Sequence, residues 1–163
     1  MSAPAVVDPE TRLQGEDHEA LRLWLRLFTC TTMVERAVDG MLKREFGSSL
    51  PRFDLLAQLE RAPDGLRMGE LSDRILTTNG NVTWLVAALE REGLVRRRTA
   101  PHDRRAVVVR LTAAGRRHFS TMAHAHEALI VRLLGGLSSA ERHTLHTLLG
   151  TSKQHLRRLR DTP

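Results

Sequence analysis

The sequence is poor in cysteine, in aromatic residues and in long apolar runs. Of 163 residues, one is cysteine, Cys30, none is tyrosine, and 4% are aromatic. A single cysteine excludes an internal disulfide and favours a reducing compartment. No apolar run approaches the roughly 20 residues that a membrane-spanning helix needs, and the N-terminus lacks the basic and apolar segments of a secretory signal. We therefore expect a cytoplasmic protein with no membrane role.

Sequence motifs of enzymes and metal sites are also missing. We find no phosphate-binding loop, no zinc-hydrolase motif and no pattern that indicates a Ser-His-Asp triad. Eight histidines are present, but His124 and His126, like His143 and His146, lack a set of cysteine or carboxylate partners at metal-ligand spacing. We therefore expect neither catalysis nor a metal or other cofactor.

Positive charge is abundant and concentrated in one segment. The formal net charge is +6, and the first twenty residues are acidic. The arginines cluster between residues 91 and 117, where Glu92 and Asp103 supply the acidic groups. The clustered residues are Arg91, Arg96, Arg97, Arg98, Arg104, Arg105, Arg110, Arg116 and Arg117. A localised basic segment is typical of a surface that contacts the phosphates of a nucleic acid.

The periodicity of apolar residues predicts a mainly helical fold. After a flexible tail over 1–15, three- and four-residue steps predict a long helix that ends at Gly47. A second helix begins near Pro51 and ends at the turn 63–65. Two further helices, over 68–75 and 79–92, precede strand-like runs at 94–98 and 106–111 with a polar hairpin tip between them. This order describes a winged helix-turn-helix.

The C-terminal third is predicted to be helical. One helix carries a stripe of apolar residues that is typical of a seam between helices. Gly135 and Gly136 interrupt it, and Ser138 with Glu141 forms a capping box for a last, leucine-rich helix. We thus predict a helical region over 16–47 and 112–160, around a DNA-binding domain over 48–111. The seam residues are Phe119, Met122, His126, Leu129 and Leu133.

The fourth helix and the hairpin contain the candidate DNA-binding residues. Apolar spacing directs Val82, Leu85, Val86 and Leu89 to the core, so the polar residues of the first turns face outward. Asparagine pairs bidentately with adenine, and threonine contacts thymine; an arginine at the wing suits a narrow minor groove. The alternative is that the asparagines and threonines only cap the helix, and that the charged residues of the hairpin only keep its turn solvated. The candidates are Thr77, Thr78, Asn79, Asn81, Thr83, Trp84, Arg98, His102, Arg104 and Arg105.

Several of these runs resemble the MarR family of bacterial transcription regulators. The resemblance lies in the runs 69–73, 79–95, 103–105 and 109–115, and extends over about residues 16 to 159. It implies a homodimer with interlocking first and last helices that binds a pseudo-palindromic operator in double-stranded DNA. The helical region over 16–47 and 112–160 would then be a dimerisation region, with the apolar stripe of 119–133 buried between protomers. It also implies wing contacts by Arg104 and Arg105 and recognition-helix contacts by Asn81 and Thr83.

Trp84 departs from the family pattern, because relatives often carry a polar or basic residue there. Its ring could contact a thymine methyl group or a sugar, or it could turn toward the neighbouring helix. These alternatives stay open at the level of the sequence.

The family commonly responds to small aromatic acids or to oxidants. The segments 77–83 and 122–130 are similar to regulators of aromatic-acid breakdown, including those released by hydroxycinnamoyl-CoA thioesters. We therefore expect a repressor that a small aromatic acid or its CoA thioester releases from DNA. A pocket lined by the first two helices would take its aromatic walls and its cations from Trp24, Phe28 and Phe53, and from Arg22, Arg26 and Arg52.

Two alternatives remain to this ligand-released repressor. One is a constitutive or architectural DNA-binding protein without a ligand. The other is a redox sensor that acts through Cys30, although peroxide-sensing relatives surround their cysteine with tyrosines and this chain has none.

Overall fold

The computed structural model describes residues 18–75, 82–100 and 103–161, with residues 100, 103–106 and 161 described by their backbone only. It confirms a mainly helical chain with a small antiparallel sheet. The helices and strands in chain order are α1 Glu19–Phe46, α2 Leu50–Glu60, β1 Leu66–Arg67, α3 Met68–Arg74, α4 Val82–Arg91, β2 Val95–Ala100, β3 Asp103–Leu111, α5 Ala113–Leu133 and α6 Ser139–Asp161.

Several helix ends lie where the local residue types predict them. Gly47 has a φ of 58°, the left-handed conformation that ends α1, and its N–H bonds to the Lys43 carbonyl at 3.2 Å. Pro51 occupies the first turn of α2. At the start of α6, the Ser138 N–H donates to Glu141 Oε2 at 2.7 Å and the Glu141 N–H donates to Ser138 Oγ at 3.3 Å. The predicted capping box is therefore confirmed.

The sheet has the order β1-β3-β2, and all pairs are antiparallel. Strands β2 and β3 form the expected hairpin, but they extend further than the predicted runs, through Ala100 and from Asp103. The two-residue strand β1 was not predicted. It pairs Leu66 with Val109, because the hairpin leaves one edge of β3 open to a third strand.

The core around the sheet is built from apolar side chains on α1, α2, α4 and the sheet itself. Leu42, Leu55, Leu56, Leu59 and Leu89 have no exposed surface at all. Chain contacts divide the protein into two compact units, with the division between Ala125 and His126. Within the described ranges, no helix is long and apolar enough to cross a bilayer.

The predicted seam on α5 belongs in part to the core of a single chain. Met122 is fully buried and the Phe119 ring lies 5.4 Å from that of Phe53 on α2. The expectation that the whole stripe is buried between protomers is therefore wrong for Met122 and Leu129, because their own chain already covers them, whereas Phe119 is half-buried. Further along α5, partial burial lowers the pKa of His126.

Candidate nucleic-acid interface

Helix α4 has one buried side and one exposed side at its first turn. Leu85, Val86 and Leu89 are buried as predicted, whereas Val82 is half-buried. Thr83 and Trp84 are exposed, and Trp84 has 60% of its surface open to solvent. The structure therefore directs Trp84 away from the core. The predicted candidates Thr77, Thr78, Asn79 and Asn81, which precede this turn, lie outside the described residues.

The C-terminal end of α4 is held by two ion pairs. Glu90 accepts the backbone N–H of Arg97 at 2.9 Å, and its other oxygen lies 3.4 Å from the Arg97 guanidinium. Glu92, just after the helix, accepts a hydrogen bond from the Arg52 guanidinium on α2. These pairs fix α4 to the hairpin at one side and to α2 at the other. Neither carboxylate was identified from the sequence, because the pairs join residues that lie 7 and 40 positions apart.

The two faces of strand β2 carry different arginines. Side chains alternate along a strand, so Arg97 lies on the side of buried Val95, where Glu90 holds it. Arg96 and Arg98 lie on the opposite side, and both are exposed. Within the described part of the chain, their guanidinium groups have no hydrogen-bond or ion-pair partner. They are accordingly the arginines of β2 that are available to a phosphate.

A third arginine on this side of the sheet is turned toward a neighbouring loop. Arg110 is paired across the sheet with Arg96, and like charges in such positions repel each other. The stem of Arg110 lies over Gly65, where a Cβ would approach its Cγ to 2.6 Å, and its Nη2 lies 4.0 Å from Asp64. Gly65 therefore makes room for Arg110 to turn away from Arg96.

The tip of the hairpin is described less fully. Arg104 and Arg105 belong to β3 by their backbone, while their side chains and all of His102 lie outside the described residues. The predicted wing contacts of these three residues stay predictions. Arg98, also predicted, is the wing candidate whose exposure the structure establishes.

The six predicted ligand-binding residues have different surroundings. The rings of Trp24 and Phe28 are 5.5 Å apart, and both are more than half exposed. Arg22 and Arg26 lie on the other side of α1, because residues two apart differ by about 200° around a helix. On α2, the neighbouring Phe53 is buried against Phe119. Helix α1 therefore does not present its aromatic pair and its arginine pair on one face.

Arg52, the sixth of these residues, is partly buried and has one unsatisfied donor. Its guanidinium bonds to Glu92, and its Nε is buried with no hydrogen-bond partner among the described residues. Such a group would be satisfied by a carboxylate or phosphate oxygen. Cys30, by contrast, is exposed on α1.

Helices α3 and α4 pack together, α4 packs on the hairpin, and exposed arginines line one side of β2. This arrangement defines a DNA-binding protein of the winged helix-turn-helix class. A model of the MarR family matches residues 46–106 of the chain.

Relatives of known sequence extend the match. The chain is 34% identical over 117 residues to an uncharacterised HTH-type transcriptional regulator, YkoM, from Bacillus subtilis, covering 69% of this chain and 75% of that protein. It is 30% identical over 134 residues to the transcriptional activatory protein BadR of Rhodopseudomonas palustris, covering 80% and 76%. The chain therefore belongs to the MarR family of transcriptional regulators.

Among solved structures, the chain is similar to Sco3205, a MarR family transcriptional regulator from Streptomyces coelicolor that was crystallised in complex with DNA. The TM-score is 0.74 at 25% identity, over 88% of this chain and 91% of that one. The family membership and this fold agree with a DNA-binding transcriptional regulator.

Proposed function

We propose that the protein is a homodimeric repressor that binds a pseudo-palindromic operator and is released by a small aromatic acid or its CoA thioester of the hydroxycinnamoyl type. The observation that carries the DNA-binding part is the proposed recognition helix α4, whose first turn is exposed and which packs on a strand with three exposed arginines. In this assignment α4 reads bases in the major groove and β2 contacts phosphates.

The proposal of a dimer is supported by exposed apolar surface on the first and last helices, α1 and α6. On α6, five leucines are exposed, and their spacing places them on one side of the helix. An apolar stripe of this size on a single chain is typical of a protein–protein contact. The exposed leucines are Leu145, Leu148, Leu149, Leu156 and Leu159. We propose that a second copy of the chain covers them, together with exposed apolar residues of α1.

Two features on different helices support the proposal that an aromatic acid is the effector. Trp24 and Phe28 form an exposed aromatic pair on α1, which suits the ring of an aromatic acid. Arg52 offers a buried, unsatisfied Nε that suits an anionic oxygen. Arg52 also pairs with Glu92 at the end of α4. An anion bound to Arg52 would compete with Glu92 and so weaken the contact between α2 and α4. The remaining candidates, Arg22, Arg26 and Phe53, are kept as proposed contacts.

The experiment that tests the proposal is a fluorescence anisotropy titration of labelled duplexes. The intergenic duplex upstream of the protein's own gene is compared with a scrambled duplex, over several salt concentrations. Each titration is run with and without hydroxycinnamoyl-CoA and simple aromatic acids. Specific binding that one compound abolishes supports the proposal. Specific binding that no compound changes leaves a constitutive DNA-binding protein, and equal binding to both duplexes contradicts the DNA interface itself.

The direction of regulation needs its own measurement, since the relative BadR is named as an activatory protein. We expect deletion of the gene to raise transcription from the promoter that the protein occupies. A fall in transcription after deletion would show that the protein activates.

A further inference from the structure

The exposure of Trp84 is unusual for the size and apolarity of its side chain. Trp84 is the third residue of α4 and leaves 60% of its surface in solvent. The next residues, Leu85 and Val86, are almost wholly buried on the other side of the helix. Core packing therefore does not account for a tryptophan at this position. Its large apolar surface lies on the turn of the recognition helix that approaches base edges in winged-helix proteins.

The other outward residues of α4 provide few hydrogen-bonding groups. Between Val82 and Leu89 the helix contains no arginine, lysine, asparagine or glutamine, so Thr83 supplies the one polar side chain in that run. Glu90 follows, but its carboxylate is already paired with Arg97. Ala87 is half-buried and small. Within this run, α4 therefore offers DNA one hydroxyl group and one indole ring.

The major groove contains one apolar group that a ring of this kind can recognise. Thymine presents a C5-methyl group there beside its O4 acceptor, while cytosine, adenine and guanine present hydrogen-bond donors or acceptors and no methyl group. An indole that replaces solvent over a methyl group gains hydrophobic contact energy. The same indole placed over a donor or acceptor would remove water from that group without replacing its hydrogen bond.

We propose that Trp84 is a specificity-determining residue that selects thymine, through its C5-methyl group, at one position in each half-site of the operator. This inference rests on the proposed function, because it requires α4 to lie in the major groove. In this division of roles, Trp84 supplies sequence preference, while Arg96 and Arg98 supply attraction to the backbone that does not depend on sequence.

The test separates the methyl group from every other feature of thymine. Wild-type protein first selects its preferred duplex from a pool with randomised central positions. Each selected thymine is then replaced by deoxyuridine, which pairs as thymine does and lacks the methyl group alone. We expect one symmetric pair of thymines at which this replacement weakens wild-type binding by about 4-fold in one half-site and about 15-fold in both.

Two variants assign the methyl effect to Trp84. For Trp84→Ala and Trp84→Gln, we expect the thymine and deoxyuridine duplexes to bind within about 1.5-fold of each other. Gln is a good helix former and keeps the test available if the alanine variant proves poorly folded, which thermal unfolding measures. Selection with either variant should also lose the preference for thymine at that position.

The outcomes distinguish this inference from the proposed function beneath it. If wild type selects no sequence, sequence-specific binding fails, and the assignment of Trp84 fails with it. If wild type selects a sequence but is insensitive to deoxyuridine at every thymine, the thymine assignment alone is overturned. It is also overturned if the variants remain as sensitive to deoxyuridine as wild type. A ring that only packs on a sugar would leave wild type insensitive to deoxyuridine, and its removal would weaken binding equally for all sequences.

Discussion

The guanidinium of Arg52 on α2 donates a hydrogen bond to the carboxylate of Glu92, the residue that follows the recognition helix. The Arg52 side chain is 19% exposed and that of Glu92 is 45% exposed, so the pair is only partly screened by water. We expect Arg52→Ala and Glu92→Ala each to lower the free energy of unfolding by about 1 kcal/mol, measured by urea denaturation.

The same two variants test whether Arg52 also binds the effector. If it does, Arg52→Ala should raise the effector concentration needed for release from DNA by at least about 10-fold, because the anion loses its partner. Glu92→Ala should not raise it, since that variant leaves Arg52 without its competing carboxylate. Equal effects of both variants on release would restrict Arg52 to a structural role.

Asp39 on α1 makes the stability of the protein depend on pH. Its Oδ2 lies 2.6 Å from Lys43 Nζ, and its Oδ1 accepts the N–H of Leu50 at 3.0 Å, at the start of α2. The Lys43 contact, followed by the Leu50 N–H, lowers the pKa of Asp39 below its ordinary value of 3.8. Since the folded state prefers the ionised form, this stabilisation is present above pH 3.8 and is lost as pH falls through the lowered pKa.

We therefore expect Asp39→Ala to cost about 1 kcal/mol of unfolding free energy at about pH 7. The difference from wild type should shrink as the pH falls below about 4. Lys43→Gln is the matched control. It removes the exposed partner but keeps the cap on α2, so it should cost less than about 0.5 kcal/mol. A constant difference between wild type and Asp39→Ala from about pH 7 to about pH 3 would contradict the role of the carboxylate.

Local signals in the sequence account for most of the fold. Gly47, Ser138 and Glu141 act at the helix ends that their residue types predict, because each satisfies backbone groups within a few residues of itself. Pro51 suits the first turn of α2, because it has no N–H that would need a partner there. Strand β1 was missed because two residues are too few for a period to be seen, and its pairing partner is more than forty positions away.

For the residues of the candidate site, the sequence predicts the helix or strand on which each residue lies, but not the residue with which it pairs. The exposure of Thr83 and Trp84 follows from the apolar spacing of α4. The ion pairs of Arg52 with Glu92 and of Arg97 with Glu90 depend on how elements pack, which periodicity does not reveal. The stripe on α5 shows the same limit, because its spacing is identical whether Met122 faces its own chain or a partner.

Gly115 marks a close approach between α5 and the loop before β2. A Cβ at this position would lie 2.0 Å from the carbonyl oxygen of Leu94. The chain cannot move aside cheaply, since Thr112 Oγ1 donates to the Gly93 carbonyl at 2.7 Å and accepts the Gly115 N–H at 2.9 Å. We expect Gly115→Ala to lower the free energy of unfolding by about 3 kcal/mol.

Gly69 on α3 is the matched control for this substitution, because a Cβ there would meet no atom within 4 Å. Gly69→Ala should stabilise the protein by up to about 1 kcal/mol through its higher helix propensity. Thermal or urea denaturation compares the two variants. Equal and small effects would show that the contact with Leu94 can relax.

Arg97 and Arg98 are neighbours on β2 with opposite surroundings, and they should respond differently to substitution. Both side chains are exposed, but Arg97 is held by Glu90, and Arg98 has no such partner among the described residues. Arg98→Ala should reduce the slope of log affinity against log salt by about 0.9 per protomer, because one phosphate contact is lost. Arg97→Ala should mainly lower stability, by about 0.5 kcal/mol. Anisotropy over a range of salt concentrations measures the slope, and an unchanged slope for Arg98→Ala would remove this arginine from the interface.

The exposed stripe of α6 should control the assembly of the protein. Leu148 and Leu156 have 61% and 64% of their surface in solvent, so a charge at either position costs little within one chain but is costly in an apolar contact between two. We expect Leu148→Glu combined with Leu156→Glu to give monomers by light scattering, with the helical content retained. Affinity for a two-half-site duplex should fall by at least about 100-fold, because the second half-site no longer benefits from being tethered to the first.

Gln154→Glu is the control for the double variant on α6. It introduces a glutamate on the same exposed helix, but on the side away from the two leucines. This variant should remain dimeric and bind DNA as wild type does. A double variant that is still dimeric would show that the leucines of α6 lie outside the contact between protomers. The dimer would then have to be formed by other exposed apolar residues, such as Leu23 and Met33 on α1 and Val131 on α5.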